Sequence, residues 1–134
     1  SSVEVKIHND GGVEIRSSVQ DIGTGTKTIL AQVVAEELGL QVKDITVNIR
    51  KTFFPVGPGS GGSVVTGSIT PPTRNAAYEA KKELLKLVAK KWEIDSSELF
   101  ITDGQVGNKK DSKLKMSINE ATSLLHSRDI RCIV

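Results

Sequence analysis

Two glycine-rich stretches hold most of the residues in this chain that could do chemistry. The first is Gln20-Asp21-Ile22-Gly23-Thr24-Gly25-Thr26-Lys27-Thr28, a glycine and threonine turn that runs straight into a segment of helical periodicity. The first N–H groups of a helix have no partner inside it. Together with threonine hydroxyls and the Gln20 amide, they can hold a phosphate or a polar heterocycle without a fixed charge. The same residues have a plainer use, in which Thr24 or Thr26 caps the helix and the glycines only make the turn. The second stretch is Gly57-Pro58-Gly59-Ser60-Gly61-Gly62-Ser63-Val64-Val65-Thr66, again leading towards a helix. Its lack of side chains lets backbone donors approach a ligand closely, although an ordinary surface loop could have the same composition.

Neither stretch completes a familiar nucleotide fingerprint. Gly57, Gly59 and Gly62 spell a formal G-x-G-x-x-G. A dinucleotide fold needs a strand immediately before that pattern and a helix opening within it, and here Phe53-Phe54-Pro55 precedes it while Pro58 occupies the turn. Gly25-Thr26-Lys27-Thr28 echoes the end of a phosphate-binding loop, but Thr26 stands where the glycine before the lysine is required. No nucleophile, base and acid share a diagnostic context: Ser60 and Ser63 lack a strand-to-helix elbow, and His8 and His126 are isolated. Both histidines read as surface or boundary residues. The single Cys132 and the two histidines offer no metal cluster, and Cys132 sits among apolar residues, where a thiol is inert. No catalytic residue and no metal ligand is assigned.

The elements that must position the two stretches follow from hydrophobic periodicity. Val3, Val5 and Ile7 alternate with polar residues, Asn9-Asp10-Gly11-Gly12 supplies turn chemistry, and Val13 and Ile15 alternate again, predicting a hairpin. From Thr26 to Leu38 the residues Ile29, Leu30, Val33, Val34 and Leu38 recur at helical spacing, with Gly39 placed to end the helix in a left-handed conformation. Ile45, Val47 and Ile49 predict a strand. A glycine-rich loop then covers 51–66, and Pro71-Pro72 are suited to a helix start, where a missing donor costs little. Ala77, Ala80, Leu84, Val88 and Trp92 line one face of that second helix. Its opposite face carries Lys81, Lys82, Lys86, Lys90 and Lys91, which reads as a solvated surface. Leu99-Phe100-Ile101, Asp103-Gly104 and Val106 predict a second hairpin, followed by the polar turn Asn108-Lys109-Lys110-Asp111. Ser117 and Glu120 match a capping box before a short third helix, and Ile130 to Val134 reads as a last strand. The order β-β-α-β-loop-α-β-β-α-β predicts an α+β domain with a mixed sheet packed against two or three helices.

Length and composition fit that reading. The 134 residues are one domain's worth, spanning 1–134, and 37% hydrophobic with 25% charged residues is ordinary for a folded soluble protein. A formal charge of +2 and 4% aromatics leave little for general nucleic-acid binding or base stacking. The apolar runs are far shorter than a membrane span, and Ser1-Ser2-Val3-Glu4 has no basic start with an apolar stretch behind it, so a cytoplasmic location is expected. The apolar end at Val134, without a polar tail, suggests a piece cut from a longer protein.

Read together, Gln-Asp-Ile-Gly-Thr-Gly-Thr from Gln20, Leu-Ala-Gln-Val-Val-Ala-Glu-Glu-Leu-Gly-Leu from Leu30, and Gly-Pro-Gly-Ser-Gly-Gly-Ser-x-x-Thr-x-Ser from Gly57 resemble, in order and spacing, the molybdenum-cofactor-binding large subunit of the xanthine dehydrogenase and aldehyde oxidase family. The resemblance implies that Gln20, Asp21, Ile22, Gly23, Thr24 and Gly25 form one contact to molybdopterin, which in that family often takes its cytosine dinucleotide form. Gly61, Gly62, Ser63 and Thr66 form the other. Thr24 stands where many relatives have glutamine. Complete enzymes of the family oxidatively hydroxylate N-heterocycles or aldehydes, with a glutamate as base in a motif well beyond this segment, which Glu36, Glu37 and Glu98 do not match. The resemblance therefore implies a non-catalytic, inactive piece of an oxidoreductase. Its partners would be the rest of its own molybdenum subunit and, in the complete enzyme, iron–sulfur and flavin components, with no nucleic acid, no membrane and no cofactor held by the isolated chain. The alternative is a stand-alone α+β module that binds an anion or nucleotide without catalysis.

Overall fold

A computed structural model describes residues 3–17, 24–49 and 62–133. The elements are β1 (Val3–Ile7), β2 (Val13–Ser17), α1 (Thr24–Leu38), β3 (Ile45–Ile49), α2 (Gly62–Trp92), β4 (Leu99–Thr102), β5 (Gln105–Asn108), β6 (Lys115–Ser117), α3 (Ile118–Ser123) and β7 (Ile130–Ile133), with short 3-10 turns at Val42–Asp44 and Ser96–Glu98. The expected α+β class and mixed sheet are found. The strands divide, however, into a four-stranded sheet in the order β3-β2-β1-β7 and a separate three-stranded sheet in the order β4-β5-β6. The additional strand is β6, three residues long. So short a run, with Met116 as its single buried residue, carries too little alternation to be read from sequence.

In the four-stranded sheet β1 pairs antiparallel with β2 and β7, whereas β2 and β3 are parallel and joined across α1. One face of this sheet is apolar. Val3, Val5, Ile7, Val13 and Ile15 are fully or almost fully buried against Leu30, Val34 and Leu38 of α1 and Ala76, Ala77, Ala80, Leu84 and Val88 of α2. The other face is a charged ladder. Arg131 meets Glu4 at 3.1 Å, Lys6 meets Asp129 at 3.6 Å, and Glu14 lies between His8 at 3.2 Å and Arg16 at 3.1 Å while also accepting from Asn48.

The helix ends show why the chain turns where it does. Gly39 adopts φ +68°, and the Leu40 N–H reaches back to the Ala35 carbonyl at 2.9 Å, closing a Schellman motif. A side chain on Gly39 would run into the Ile101 carbonyl, and the Gly104 N–H donates to the Gly39 carbonyl at 2.9 Å, so this turn is also the seam between α1 and the second hairpin. The same bond pattern ends α2, where the Ile94 N–H reaches Ala89 at 3.0 Å, but the left-handed residue there is Glu93, at φ 57°. Ser117 caps α3 as expected, accepting from the Glu120 N–H at 3.1 Å.

The start of α2 departs from expectation. The helix begins at Gly62, so 62–66 of the anticipated loop are helical, and Pro71 and Pro72 lie inside the helix instead of opening it. Neither proline can donate to the carbonyl four residues earlier, a loss of about 3 kcal/mol for an interior proline. Packing outweighs that cost: Thr73, Ala76, Ala77 and Ala80, directly after the prolines, are completely buried. Residues 51–61 of the loop lie outside the described residues. Lys86, Lys90 and Lys91 are exposed, in keeping with the solvated face expected of α2. Lys81 is engaged by Glu37 at 3.0 Å, and Lys81 and Lys82 stand 5.4 and 5.3 Å from the Tyr78 ring centre. No helix among the described residues is long and apolar enough to cross a membrane.

Candidate functional site

The parallel pair β2 and β3 determines where the two glycine stretches leave the sheet. Its register matches Ser17 with Ile49, the last residue of each strand. The segments that lead to the two stretches leave from these neighbouring, paired strand ends, and 18–23 and 50–61 themselves lie outside the described residues. The carboxyl end of parallel strands is the usual position of a ligand crevice in sheets with helical crossovers.

The crossover helix α1 follows β2 and starts at that same end. The crossover α1 returns antiparallel to β2 and β3, and its last turn meets the second hairpin at Gly39. That hairpin begins shortly after α2 ends, which places the C-termini of both helices towards it. Glu37, near the end of α1, pairs with Arg74 at 3.7 Å and Lys81 at 3.0 Å, and Arg74 lies about as far into α2 as Glu37 does into α1. The end of α1 therefore packs alongside the first half of α2. Neither helix has an acidic residue in its first turn, so no carboxylate within those turns opposes the positive end of the helix dipole, which favours an anion.

Thr24 and Gly25 open α1, and Gly62, Ser63 and Thr66 occupy the first turns of α2. Gln20, Asp21, Ile22, Gly23 and Gly61 lie outside the described residues, as do the side chains of 24–26 and 62–69.

One residue at this edge was missed from the sequence. Ser17 is only 4% exposed, and its Oγ has no hydrogen-bond partner among the described residues. It occupies the core-facing register of β2 after Val13 and Ile15, at the strand end from which the first stretch departs. A buried hydroxyl without a partner costs about 1–3 kcal/mol, and here it is a polar group at the strand end from which the chain leads to the first stretch. The available signal was a serine continuing the Val13 and Ile15 alternation. Taken together, the paired strand ends, the non-acidic helix starts and the free hydroxyl suit an anionic, heteroatom-rich ligand held by neutral donors.

The other titratable groups lie elsewhere. Burial pushes the Glu14 carboxyl up, but hydrogen bonds from Arg16, Asn48 and His8 outweigh it and hold the group below the usual carboxylate range. This cluster is on the sheet face opposite the helices. Cys132 is half-buried, and burial, reinforced by Glu83 and Glu79, pushes its thiol up, which fits the inert role expected of it. Among the described residues no group of His, Cys, Asp and Glu could hold a metal ion.

Comparison with known proteins gives the context. Residues 1–131 match the family model described as a molybdopterin cofactor-binding domain. The chain is 32% identical over 123 residues to the aldehyde oxidoreductase molybdenum-binding subunit of Escherichia coli K12, a match covering 92% of this chain and 16% of that protein. It is 32% identical over 99 residues to the carbon monoxide dehydrogenase large chain of Afipia carboxidovorans, covering 73% of this chain and 12% of that one. Among solved structures, quinoline 2-oxidoreductase from Pseudomonas putida 86 superposes with a TM-score of 0.80 at 23% identity, covering 99% of this chain and 18% of that chain, which supports the fold. This chain thus spans less than a fifth of the proteins it matches.

Proposed function

The chain belongs to the molybdopterin cofactor-binding domain family, and on that premise we propose that it forms one wall of the cofactor site in a molybdenum hydroxylase of the xanthine dehydrogenase and aldehyde oxidase type. What supports this reading is the pairing of Ser17 with Ile49 in the parallel strands β2 and β3, since the segments that lead to the two glycine stretches then start from neighbouring strand ends. In this reading Gln20, Asp21, Ile22, Gly23, Thr24 and Gly25 hold the pterin or its phosphate from one side. Gly61, Gly62, Ser63 and Thr66 hold it from the other, and Ser17 lies beneath.

The work of these residues is binding and orientation. Backbone N–H groups carry no formal charge and need no counterion, so they can grip the ligand's phosphate and ring heteroatoms while excluding water. Glycine at the contact points lets the backbone come close. When bound, the cofactor supplies the oxygen-insertion and redox chemistry; this chain contributes no base. We assign molybdopterin, including its cytosine dinucleotide form, as the cofactor of the complete enzyme. An N-heterocycle or aldehyde is the substrate class, the rest of the same subunit together with iron–sulfur and flavin components are the partners, and the location is cytoplasmic. The isolated chain is inactive.

The test is pterin and molybdenum content in the complete subunit that carries this chain. Gly23→Val and Gly62→Val should each lower both at least tenfold while circular dichroism stays unchanged. Retention of full cofactor content by both folded variants would refute the assignment.

A further inference from the structure

The second sheet, at the other end of α1 from the glycine stretches, has an outer face that the cofactor reading does not use. There Phe100 of β4 is directly opposite Gly107 of β5. A Cβ on Gly107 would stand 2.7 Å from Cζ of Phe100 and 3.1 Å from both Cε atoms. Equal distances to the two Cε atoms, only slightly longer than that to Cζ, place this Cβ above the ring plane at the Cζ end of the ring. The Cζ end of the ring therefore covers Gly107, which is buried beneath it, while Phe100 remains 37% exposed. This arrangement leaves one broad aromatic face open to solvent, backed by a residue with no side chain to tilt it.

Around that ring is a concavity of about 310 Å³ lined also by Gln105, Asn108, Lys109, Ser112 and Lys115. Lys109 and Lys115 are exposed, and neither has an acidic partner among the described residues, whereas neighbouring Lys110 is held by Glu98 at 2.9 Å. The Gln105 amide and the Ser112 hydroxyl are exposed polar groups on the same wall. A single stacking surface with two free cations and neutral hydrogen-bonding groups is the combination that a base, its sugar and one phosphate require. A nucleic-acid strand would need a row of aromatics, and this face has one.

We propose that the outer face of the second sheet is a mononucleotide subsite, with the base stacked on Phe100 and the phosphate between Lys109 and Lys115. It is separate from the molybdopterin wall and does not depend on that assignment.

The test is a nitrogen-15 NMR titration of the 134-residue chain with AMP, with adenosine and with inorganic phosphate. AMP should shift the amides of Phe100, Gly107, Lys109 and Lys115, and should bind more tightly than adenosine or phosphate alone. Phe100→Leu keeps Gly107 covered but removes the π face, and should weaken AMP about tenfold, within the range for loss of one stacked base. Lys109→Gln with Lys115→Gln should abolish the salt dependence of binding. The proposal is overturned if AMP shifts none of these amides, if phosphate alone binds as well as AMP, or if Phe100→Leu binds AMP unchanged.

Discussion

Glu14 shows how much one side chain on the ladder face can contribute. Its folded pKa is depressed, so the stabilisation it gives is fully present above its ordinary value of 4.5 and is lost as pH falls through the lower folded value. Thermal unfolding followed from pH 7 to pH 3 should therefore show a fall in Tm below about pH 4.5, and Glu14→Gln should flatten that part of the curve. An unchanged profile would mean that Arg16, Asn48 and His8 do not hold the carboxylate. Gly39 answers to backbone geometry instead. Gly39→Ala would force a side chain into the left-handed region, at about 1–2 kcal/mol, and against the Ile101 carbonyl, so denaturant unfolding should show a loss of at least about 2 kcal/mol. Gly39 was legible as a helix stop because glycine after a periodic apolar run has one common meaning. Its second constraint, the approach of Ile101, was not legible, because that contact joins segments distant in sequence. Ser17 was overlooked for a related reason: a serine is unremarkable until its register and burial are known.

At the scale of elements, periodicity identified every helix and all the strands of the four-stranded sheet, and it failed where other forces set the boundary. The start of α2 is the clearest case. Pro71-Pro72 are good first residues of a helix, and local preference favours a start there, but burial of Thr73, Ala76 and Ala77 carries the helix through them. Pro71→Ala should then stabilise the chain by about 1 kcal/mol or more, since an interior proline costs about 3 kcal/mol. If the helix opened at Pro71, the same change would be neutral or harmful. Carbon chemical shifts over 62–70 supply an independent check and should be helical. At the other end of α2, Glu93 holds a left-handed conformation that glycine adopts freely. Glu93→Gly should raise stability by about 0.5 kcal/mol, the left-handed penalty less the added freedom of the unfolded chain, and a decrease would show that the Glu93 side chain matters more than its backbone. Division of the strands into two sheets could not be read from sequence, because alternation specifies a strand's faces and not its neighbours.

The molecule as a whole separates two kinds of surface. One end holds the paired ends of β2 and β3, the start of α1 and the Ser17 hydroxyl, which has no partner among the described residues. The opposite end carries the small second sheet with its open aromatic face. The proposed site was visible in the sequence as two separate glycine stretches, whereas the parallel pairing of β2 and β3 that supports their union is a long-range fact that local pattern cannot supply. The chain spans about a sixth of the Escherichia coli relative, and the proposed function makes this end one part of an enclosure. The most direct test is an experimental structure of the complete subunit with its cofactor bound. The account predicts backbone N–H groups from both 20–25 and 61–66 within hydrogen-bonding distance, about 3.2 Å or less, of one pterin cofactor. A cofactor touched by only one of the two stretches, or by neither, would contradict it.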